Sequence, residues 1–449
     1  MSGFRDYSPA VMIPRERILQ TARDVYRSFG FAPIDTPACE SLDVLLGKGG
    51  DESDKLVYRV RGAKQEKEEM GLRFDLTVPF ARFAAKNINE LGTPFKRYAM
   101  GPVWRGERPG QGRYREFWQC DFDTIGTTSN ASDIETILVV NELFTKLEIP
   151  RFEIRVNSRM ILNGILEALG FEKKAAAVLR AWDKLLKIGR DAVIAEMVNE
   201  AEVSETAAKL FMMIADIDGT GKEKLSRLRD LLANFSVDAD RQNTYENGKL
   251  KLNEGVRRLE ELLSIVRLIG LPESRVNVDF SIARGLEYYT GIIFETFLLD
   301  LPAIGSVCSG GRYDNLASLY TKQVLPGVGG SLGVDRLLAA MEELKHPWLT
   351  GASSPAQVLV FNLGADHLGE YQKLAKTLRD VGLAVEVYPD PKKLGQQFQY
   401  AEKRGHRVGV IAGGQEIANG TVKVKDLMKK EETTVSNIEI ATAVQQLLQ

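Results

Sequence analysis

The sequence predicts a mixed α+β body that carries an inserted helical subdomain and is followed by a separate α/β domain. Three stretches predict it. Residues 98–105 and 114–122 alternate apolar and polar side chains around a loop holding Pro109, Gly110 and Gly112, the pattern of an antiparallel hairpin. Between about residues 172 and 250 the chain becomes rich in Ala, Lys and Glu, with few aromatics and a Ser/Asn/Asp patch at 234–243, which reads as helical. Beyond the linker-like 348–355, strands and helices alternate, the mark of a largely parallel α/β sheet.

Composition narrows the function. At 449 residues and 44% hydrophobic content the chain can bury one large core and at least one smaller one. A formal net charge of -2 argues against binding nucleic acid through bulk charge, so any RNA contact rests on a local basic face. Cys39, Cys120 and Cys308 form no CxxC pair, which points to a reducing compartment. The start, MSGFRDYSPA, has no apolar targeting core, and no run of about 18 apolar residues follows. A soluble cytoplasmic protein, without membrane partners, is expected. All three histidines, His346, His367 and His406, lie in the last quarter. Chemistry in the first three quarters therefore has carboxylates, Arg, Lys, Tyr and the substrate to work with, and no histidine base or histidine-bound metal of its own.

Taken in order, residues 15–29 place Ile18, Leu19, Ala22, Val25, Tyr26 and Phe29 at helical spacing, with Gly30 positioned to close the helix. A strand with Pro33 and Pro37 follows. Residues 72–86 pair a short strand with a helix opened by Pro79, and set Asp75 and Thr77 on one side. A buried aspartate there needs a cation; an exposed edge with Thr77 as a cap fits equally well. The hairpin bears Arg105, Arg108, Arg113 and Arg115 among Glu107, Glu116, Asp121 and Asp123. Guanidinium forks on a stiff ribbon suit a polyphosphate, while a solvated, salt-bridged surface is the plainer alternative. A helix (131–147), a strand (152–157) and a helix (158–169) come next. Residues 216–224, DIDGTGKEK, resemble a P-loop or calcium loop but lack the required spacing, and read as a turn. A helix at 252–269 and a strand at 275–281 lead to ARGLEYYTGIIFETFL, 283–298, where Arg284 precedes Tyr288, Tyr289 and a strand. VCSGGRYDNL, 307–316, reads as a strand ending in a Gly-Gly bend. GVGGSLGVDRLLAAMEEL, 327–344, reads as a glycine-rich lead into a helix that carries Arg336, fit for phosphate or for close packing. Past the linker, Lys392, Lys393, Lys403, Arg404, Lys423, Lys425, Lys429 and Lys430 form cationic clusters that are either solvated faces or an RNA-binding surface.

The order of residues in YAMGPVWRGERPGQGRYREFWQCDFDTIG, 98–126, resembles motif 2 of class II aminoacyl-tRNA synthetases, and GRYREFWQCDFD is similar to its form in the histidyl-tRNA synthetase family. The helix and proline-bearing strand at 15–37 resemble motif 1, residues 327–344 resemble motif 3, RGLEYY resembles a histidyl signature, and the last hundred residues resemble an anticodon-binding domain. The resemblance implies a class II catalytic domain at 1–350, an antiparallel sheet flanked by helices, with the insertion at 172–250 and an anticodon-binding domain at 355–449. It implies ligation of L-histidine to tRNA(His) through a histidyl-adenylate, with ATP as substrate, magnesium accompanying ATP, no tightly bound prosthetic group, and a homodimer. By the same resemblance Arg105 and Arg284 act on the reacting phosphoryl group. Asp75, Leu76, Thr77, Arg105, Gln119, Asp123, Arg284, Tyr288 and Tyr289 bind histidine, Asp75 and Thr77 at the α-ammonium and Asp123, Gln119 and the tyrosines at the imidazole. Arg105, Glu107, Arg113, Phe117 and Arg336 bind ATP. A non-catalytic, histidine-binding regulatory paralogue is the alternative; such a protein typically loses motif arginines or the last domain, and this chain keeps both. Gly106, Trp104 and Trp118 depart from the family's usual residues without touching an assigned position.

Overall fold

The computed structural model describes residues 1–47, 56–63, 69–233, 242–283 and 288–449, the side chains of residues 186, 232 and 233 excepted. They form two compact units, 1–4 with 18–340, and 5–17 with 341–449. In chain order the described strands are β1 (Ala32–Pro33), β2 (Cys39–Ser41), β3 (Arg59–Val60), β4 (Met70–Leu72), β5 (Phe95–Trp104), β6 (Glu116–Ile125), β7 (Phe152–Ser158), β8 (Val276–Val278), β9 (Ile292–Leu298), β10 (Cys308–Tyr313), β11 (Gly327–Gly333), β12 (Val358–Val360), β13 (Val385–Val387), β14 (Val408–Ile411), β15 (Thr421–Asp426) and β16 (Glu432–Ser436). No described helix is long and apolar enough to cross a membrane.

The larger unit is built on an eight-stranded sheet in the order β1-β5-β6-β11-β10-β9-β7-β8. From β5 to β7 every pairing is antiparallel. The edge strands β1 and β8 are parallel to their neighbours, so the expected antiparallel sheet is mixed at its rims. A second sheet, β2-β4-β3, lies beside it in the chain order. The hairpin forms as its alternation dictates, with β5 and β6 paired from Phe95↔Ile125 to Trp104↔Glu116. Period-two alternation sends Phe117, Gln119, Asp121 and Asp123 to one face of β6 and Cys120 and Phe122 to the other. On that second face Phe122 meets Tyr26 and Phe31 with ring centroids 5.0 and 5.6 Å away, and the Tyr26 hydroxyl donates to the Cys120 carbonyl. Tyr26 belongs to the helix Pro9–Ser28, which begins six residues before the expected start and carries Pro14 near its N-terminal end. Gly30, at φ +80°, ends it as expected, while Phe31 N donates back to Tyr26 O.

Two expectations for the glycine-rich stretches are corrected. Gly310 and Gly311 do not bend the chain but sit inside β10, and Gly327, Gly329, Gly330 and Gly333 are strand residues of β11. The reason is crowding: a Cβ at Gly310 would collide with the Gly329 carbonyl, one at Gly327 with the Tyr313 ring, and one at Gly329 with the Asp123 carboxylate. The helical region holds Ala175–Trp182, Leu185–Ile188, Arg190–Asn199, Glu205–Met212, Gly221–Ala233 and Gln242–Leu268. Within it the expected turn at 216–224 is confined to 217–220, since Gly221–Lys224 already open the helix Gly221–Ala233, whose start Thr220 and Glu223 close with reciprocal caps; most of the Ser/Asn/Asp patch lies outside the described residues. The last helix starts ten residues before the expected 252, because its polar first turns pack on Arg159–Ala168 through Gly248 and Gly164, where a Cβ would strike backbone.

The C-terminal unit has a five-stranded sheet, β13-β12-β14-β15-β16. The β13–β12 and β12–β14 pairings are parallel and the β14–β15 and β15–β16 pairings antiparallel, so the expected largely parallel sheet is mixed. The strand β16 and the short helix Gly414–Asn419 have no counterpart in the sequence reading. A turn after β15 reverses the chain, with Asp426 Oδ1 accepting from Met428 N and Lys429 N and Lys430 at φ +62°.

Candidate active site

One cavity of about 1640 Å³ opens on the β6 and β11 face of the large sheet. This exceeds the roughly 300–1,000 Å³ of a single small-molecule site and leaves room for two substrates. Asp75, Thr77, Arg105, Glu107, Arg113, Gln119, Tyr288, Tyr289 and Arg336 all line it, as do Asp121, Ser309, Gly310 and Ser331. Nine of the expected residues thus meet at one cavity, from the start of the helix Thr77–Leu91 and the segment before it, the β5–β6 hairpin, the segment before β9 and the helix Val334–Glu343. Arg284 lies outside the described residues.

The cationic side comes first. Arg105 Nε donates to the Phe74 carbonyl at 3.0 Å, and its guanidinium stands 5.2 Å from the Phe117 ring centroid. Phe117 itself is not among the cavity-lining residues. Arg113 is exposed at the hairpin tip. That tip turns at Gly112, φ +64°, where a Cβ would come within 3.3 Å of Arg336 Cα. Trp118 N donates to Asp335 Oδ2 at 2.8 Å, tying β6 to the same helix start. Arg336 donates to the Ser306 carbonyl at 2.6 Å. Burial, then the Arg113 and Arg105 charges, pull its pKa down to about 10, so it stays protonated at neutral pH beside two like charges. Gathering three guanidinium groups costs free energy that an anion would offset.

The carboxylate side is deeper. Asp75 is 2% exposed, and its Oδ1 accepts the helix-opening Val78 N at 3.0 Å. Asp75, rather than Thr77, is thus the helix-start acceptor, while Thr77 hydrogen-bonds Tyr288. Burial raises Asp75 above the usual carboxylate range, partly opposed by the Val78 hydrogen bond and by Arg105. Leu76 is buried in a cluster with Ala99 and Val103, and its carbonyl accepts from Arg97 Nη2 at 3.1 Å; it offers backbone, not side chain. Asp123 is 2% exposed and is not among the lining residues. The Tyr313 hydroxyl donates to its Oδ1 at 2.6 Å, and Arg97 Nη2 lies 2.6 Å from its Oδ2. Burial raises Asp123, opposed by Arg97 and that hydroxyl. Tyr288 and Tyr289 meet edge to face at 5.1 Å, and burial raises both phenols, which stay neutral.

Three residues of the site were not assigned from sequence. Arg97 is fully buried under the Phe80 ring, 4.3 Å away, and Tyr313 is 1% exposed. Asp121 lines the cavity, and burial pushes it up to about 7. Asp121 stands in register with Gln119 and Asp123, so the period of the strand was an available signal; for Arg97 and Tyr313 the partner is 26 and 190 residues distant and nothing local marks it. Among the described residues no group of three or more His, Cys, Asp or Glu side chains is arranged to hold a metal ion. In the C-terminal unit the cationic clusters are partly neutralised, Lys423 and Lys425 by Glu432, Lys392 by Asp390 and Arg404 by Glu386. Lys393, Lys403, Lys429 and Lys430 are exposed.

Comparison with known proteins bears on the family and the fold. Residues 3–337 match the family model for histidyl-tRNA synthetase, and 357–447 match that for an anticodon binding domain. A histidine–tRNA ligase of Rhodopirellula baltica is 52% identical over 436 residues, 97% of this chain and 95% of that protein. The crystal structure of a histidyl-tRNA synthetase from Nostoc sp. superposes with a TM-score of 0.87 at 34% identity, covering 99% of this chain and 98% of that one. An ATP phosphoribosyltransferase regulatory subunit/histidyl-tRNA synthetase from Bacillus halodurans shares the fold, with a TM-score of 0.72 at 20% identity over 92% of this chain and 98% of its own.

Proposed function

The chain belongs to the histidyl-tRNA synthetase family, and on that premise we propose how its residues join L-histidine to tRNA(His) at the expense of ATP. The observation that carries the proposal is the convergence of Arg105, Arg113 and Arg336 with Asp75 and Asp121 on one cavity. A zwitterionic amino acid and a triphosphate need those opposite charges side by side. In the first step the histidine carboxylate attacks the ATP α-phosphorus, the bond to the bridging oxygen breaks, and pyrophosphate leaves with its electron pair. The attacking carboxylate is ionised at neutral pH, so the step needs alignment and positive charge rather than a base. Asp75, through its open Oδ2, and Thr77 hold the α-ammonium; the Leu76 backbone completes that corner. Gln119, Tyr288 and Tyr289 face the imidazole, with Asp123 behind them. Arg105 and Arg284 steady the reacting phosphoryl group, Arg113 the γ-phosphate, Glu107 the adenine end, and Phe117 and Arg336 the two faces of the base. In the second step the terminal ribose hydroxyl of the tRNA takes the histidyl group and AMP leaves.

Magnesium would accompany ATP, held mainly by phosphate oxygens and water, where it would spread the negative charge of the leaving pyrophosphate. We assign residues 1–350 to catalysis, with 172–250 as an insertion, and 355–449 to the anticodon, where the exposed Lys393, Lys403, Lys429 and Lys430 would meet phosphates. The protein acts in the cytoplasm as a homodimer through the motif 1 region; a monomer by light scattering would contradict the latter. Transfer of labelled histidine to tRNA(His), and not to other tRNAs, tests the whole reading. A chain that forms the adenylate but charges no tRNA would defeat the anticodon assignment.

A further inference from the structure

One buried cation stands outside the cavity and has no part in the chemistry described above. Arg73 is 4% exposed and is not among the cavity-lining residues. The carboxylate it meets, Asp35, is exposed and lies 3.5 Å from Nη1, so backbone carbonyls do most of the holding. Nε donates to Pro102 O at 3.1 Å, and Nη1 donates to Thr36 O and reaches Thr36 Oγ1 at 3.4 Å. The remaining nitrogen, Nη2, occupies the room left by Gly101 of β5, where a Cβ would stand 2.5 Å from it. Gly101 pairs with Gln119 of β6, so the guanidinium lies over the sheet face that bears the cavity, one strand further out. The segments it joins are those that aim Arg105. Arg73 N donates to Ala38 O, and Arg73 O accepts from Trp104 N at 3.0 Å, which bridges residue 73 to the end of β5. The next carbonyl, that of Phe74, accepts Arg105 Nε at 3.0 Å.

We infer that Arg73 is a positioning residue: by fastening the 73–74 segment to the outer end of β5, it sets the direction in which Arg105 reaches the reacting phosphoryl group. This rests on the proposed function, which gives Arg105 its role. The side chain and the backbone of Arg73 grip β5 at Pro102 and Trp104, on the three residues that precede Arg105, and the Phe74 carbonyl then takes the Arg105 side chain itself. The task calls for a guanidinium. Its planar fork meets carbonyls of two separate segments while a third nitrogen fills the room over Gly101, whereas a lysine has one nitrogen on a flexible stem. Precision matters here because a misplacement of about 1 Å at a reacting group costs on the order of 100-fold in rate. The histidine corner has its own anchor, since Asp75 Oδ1 accepts Val78 N at the helix start, so loosening Arg73 acts on Arg105 and spares that corner.

Two substitutions in the full chain loosen this group by different routes. Arg73→Lys removes the fork, while Gly101→Ala keeps the arginine and drives a methyl against Nη2. Nuclear magnetic resonance of the chain carrying isotope-labelled arginine follows the Nε–H signal of Arg105, identified by its disappearance in Arg105→Ala. Both variants are expected to shift or broaden that signal, to lower kcat for histidine-dependent pyrophosphate exchange by about 10- to 100-fold, and to leave KM for histidine unchanged. An Arg105 signal unchanged in both variants, or exchange at the native kcat, would overturn the inference. So would a loss expressed through KM for histidine alone, the mark of a general loosening around Asp75. Should Arg73→Lys fail to fold, Gly101→Ala decides alone, because the only group it displaces is the far end of a side chain. A native chain that exchanges no pyrophosphate would defeat the functional reading, and the Arg105 signal would still decide whether Arg73 holds that side chain.

Discussion

Asp121→Asn carries a stability prediction that can be worked from the structure. Burial raises the Asp121 carboxyl from its ordinary 3.8 to about 7, opposed by Arg97 and Ser331 and reinforced by Asp123 and Asp75. A carboxyl with a raised folded pKa binds its proton more tightly in the folded chain, so stability falls as pH rises from the unfolded value to the folded one. At about 1.4 kcal/mol per pH unit, the loss through this group is about 2 kcal/mol by pH 5.5 and about 4 kcal/mol by pH 8. Asparagine cannot ionise and escapes that loss. Its advantage over the native residue should therefore grow by about 2 kcal/mol between pH 5.5 and pH 8, while Asp75, Asp123 and Arg97 remain common to both proteins. Urea unfolding followed by tryptophan fluorescence, to which Trp104, Trp118 and Trp182 of the larger unit contribute, measures this at the two pH values. A stability difference that stays constant or shrinks as pH rises would refute the reasoning.

The remaining expectations concern neighbours of the same corner. Arg97→Leu leaves the Asp123 carboxylate buried without its cation; urea unfolding should show a loss of about 3–5 kcal/mol, partly restored by adding Asp123→Asn. Gly329→Ala drives a methyl into Asp123 and the Phe122 carbonyl, and should cost about 1–3 kcal/mol by thermal unfolding together with weaker histidine binding by calorimetry. Arg113→Ala removes an exposed cation, so the fold should be unaffected, while initial-rate kinetics should show KM for ATP raised about tenfold and KM for histidine unchanged.

What the sequence revealed, and what it hid, follows from the reach of each signal. The β5–β6 hairpin and the helix closed by Gly30 were legible because their periodicity and turn residues are local. β16 was not: its residues are exposed or half-buried, so no apolar alternation marks it, and pairing with β15 together with Val435 against the core holds it at the edge. The glycines of β10 suggested a bend and those of β11 either a phosphate site or close packing; close packing is their cause, through the bulk of Tyr313, Asp123 and Phe294 arriving from other strands. The early start of Gln242–Leu268 was hidden for the same reason, as Gly164 and Gly248 must meet before those polar turns gain a packing partner. At the site, the residues carried by the hairpin and by the helix at Thr77 were named in advance from a family resemblance. Arg97 and Tyr313 escaped because their role is to pair with a carboxylate distant in sequence. Asp121 was seen but given no role, because a row of charges does not show which of them the fold will bury.

The most direct test of the account is histidine-dependent exchange of labelled pyrophosphate into ATP by the native chain, with the other amino acids as controls and Arg105→Ala beside it. The account predicts exchange with histidine alone, lost in the variant. A folded chain that binds histidine and exchanges no pyrophosphate would contradict it and mark the protein as a binder rather than an enzyme.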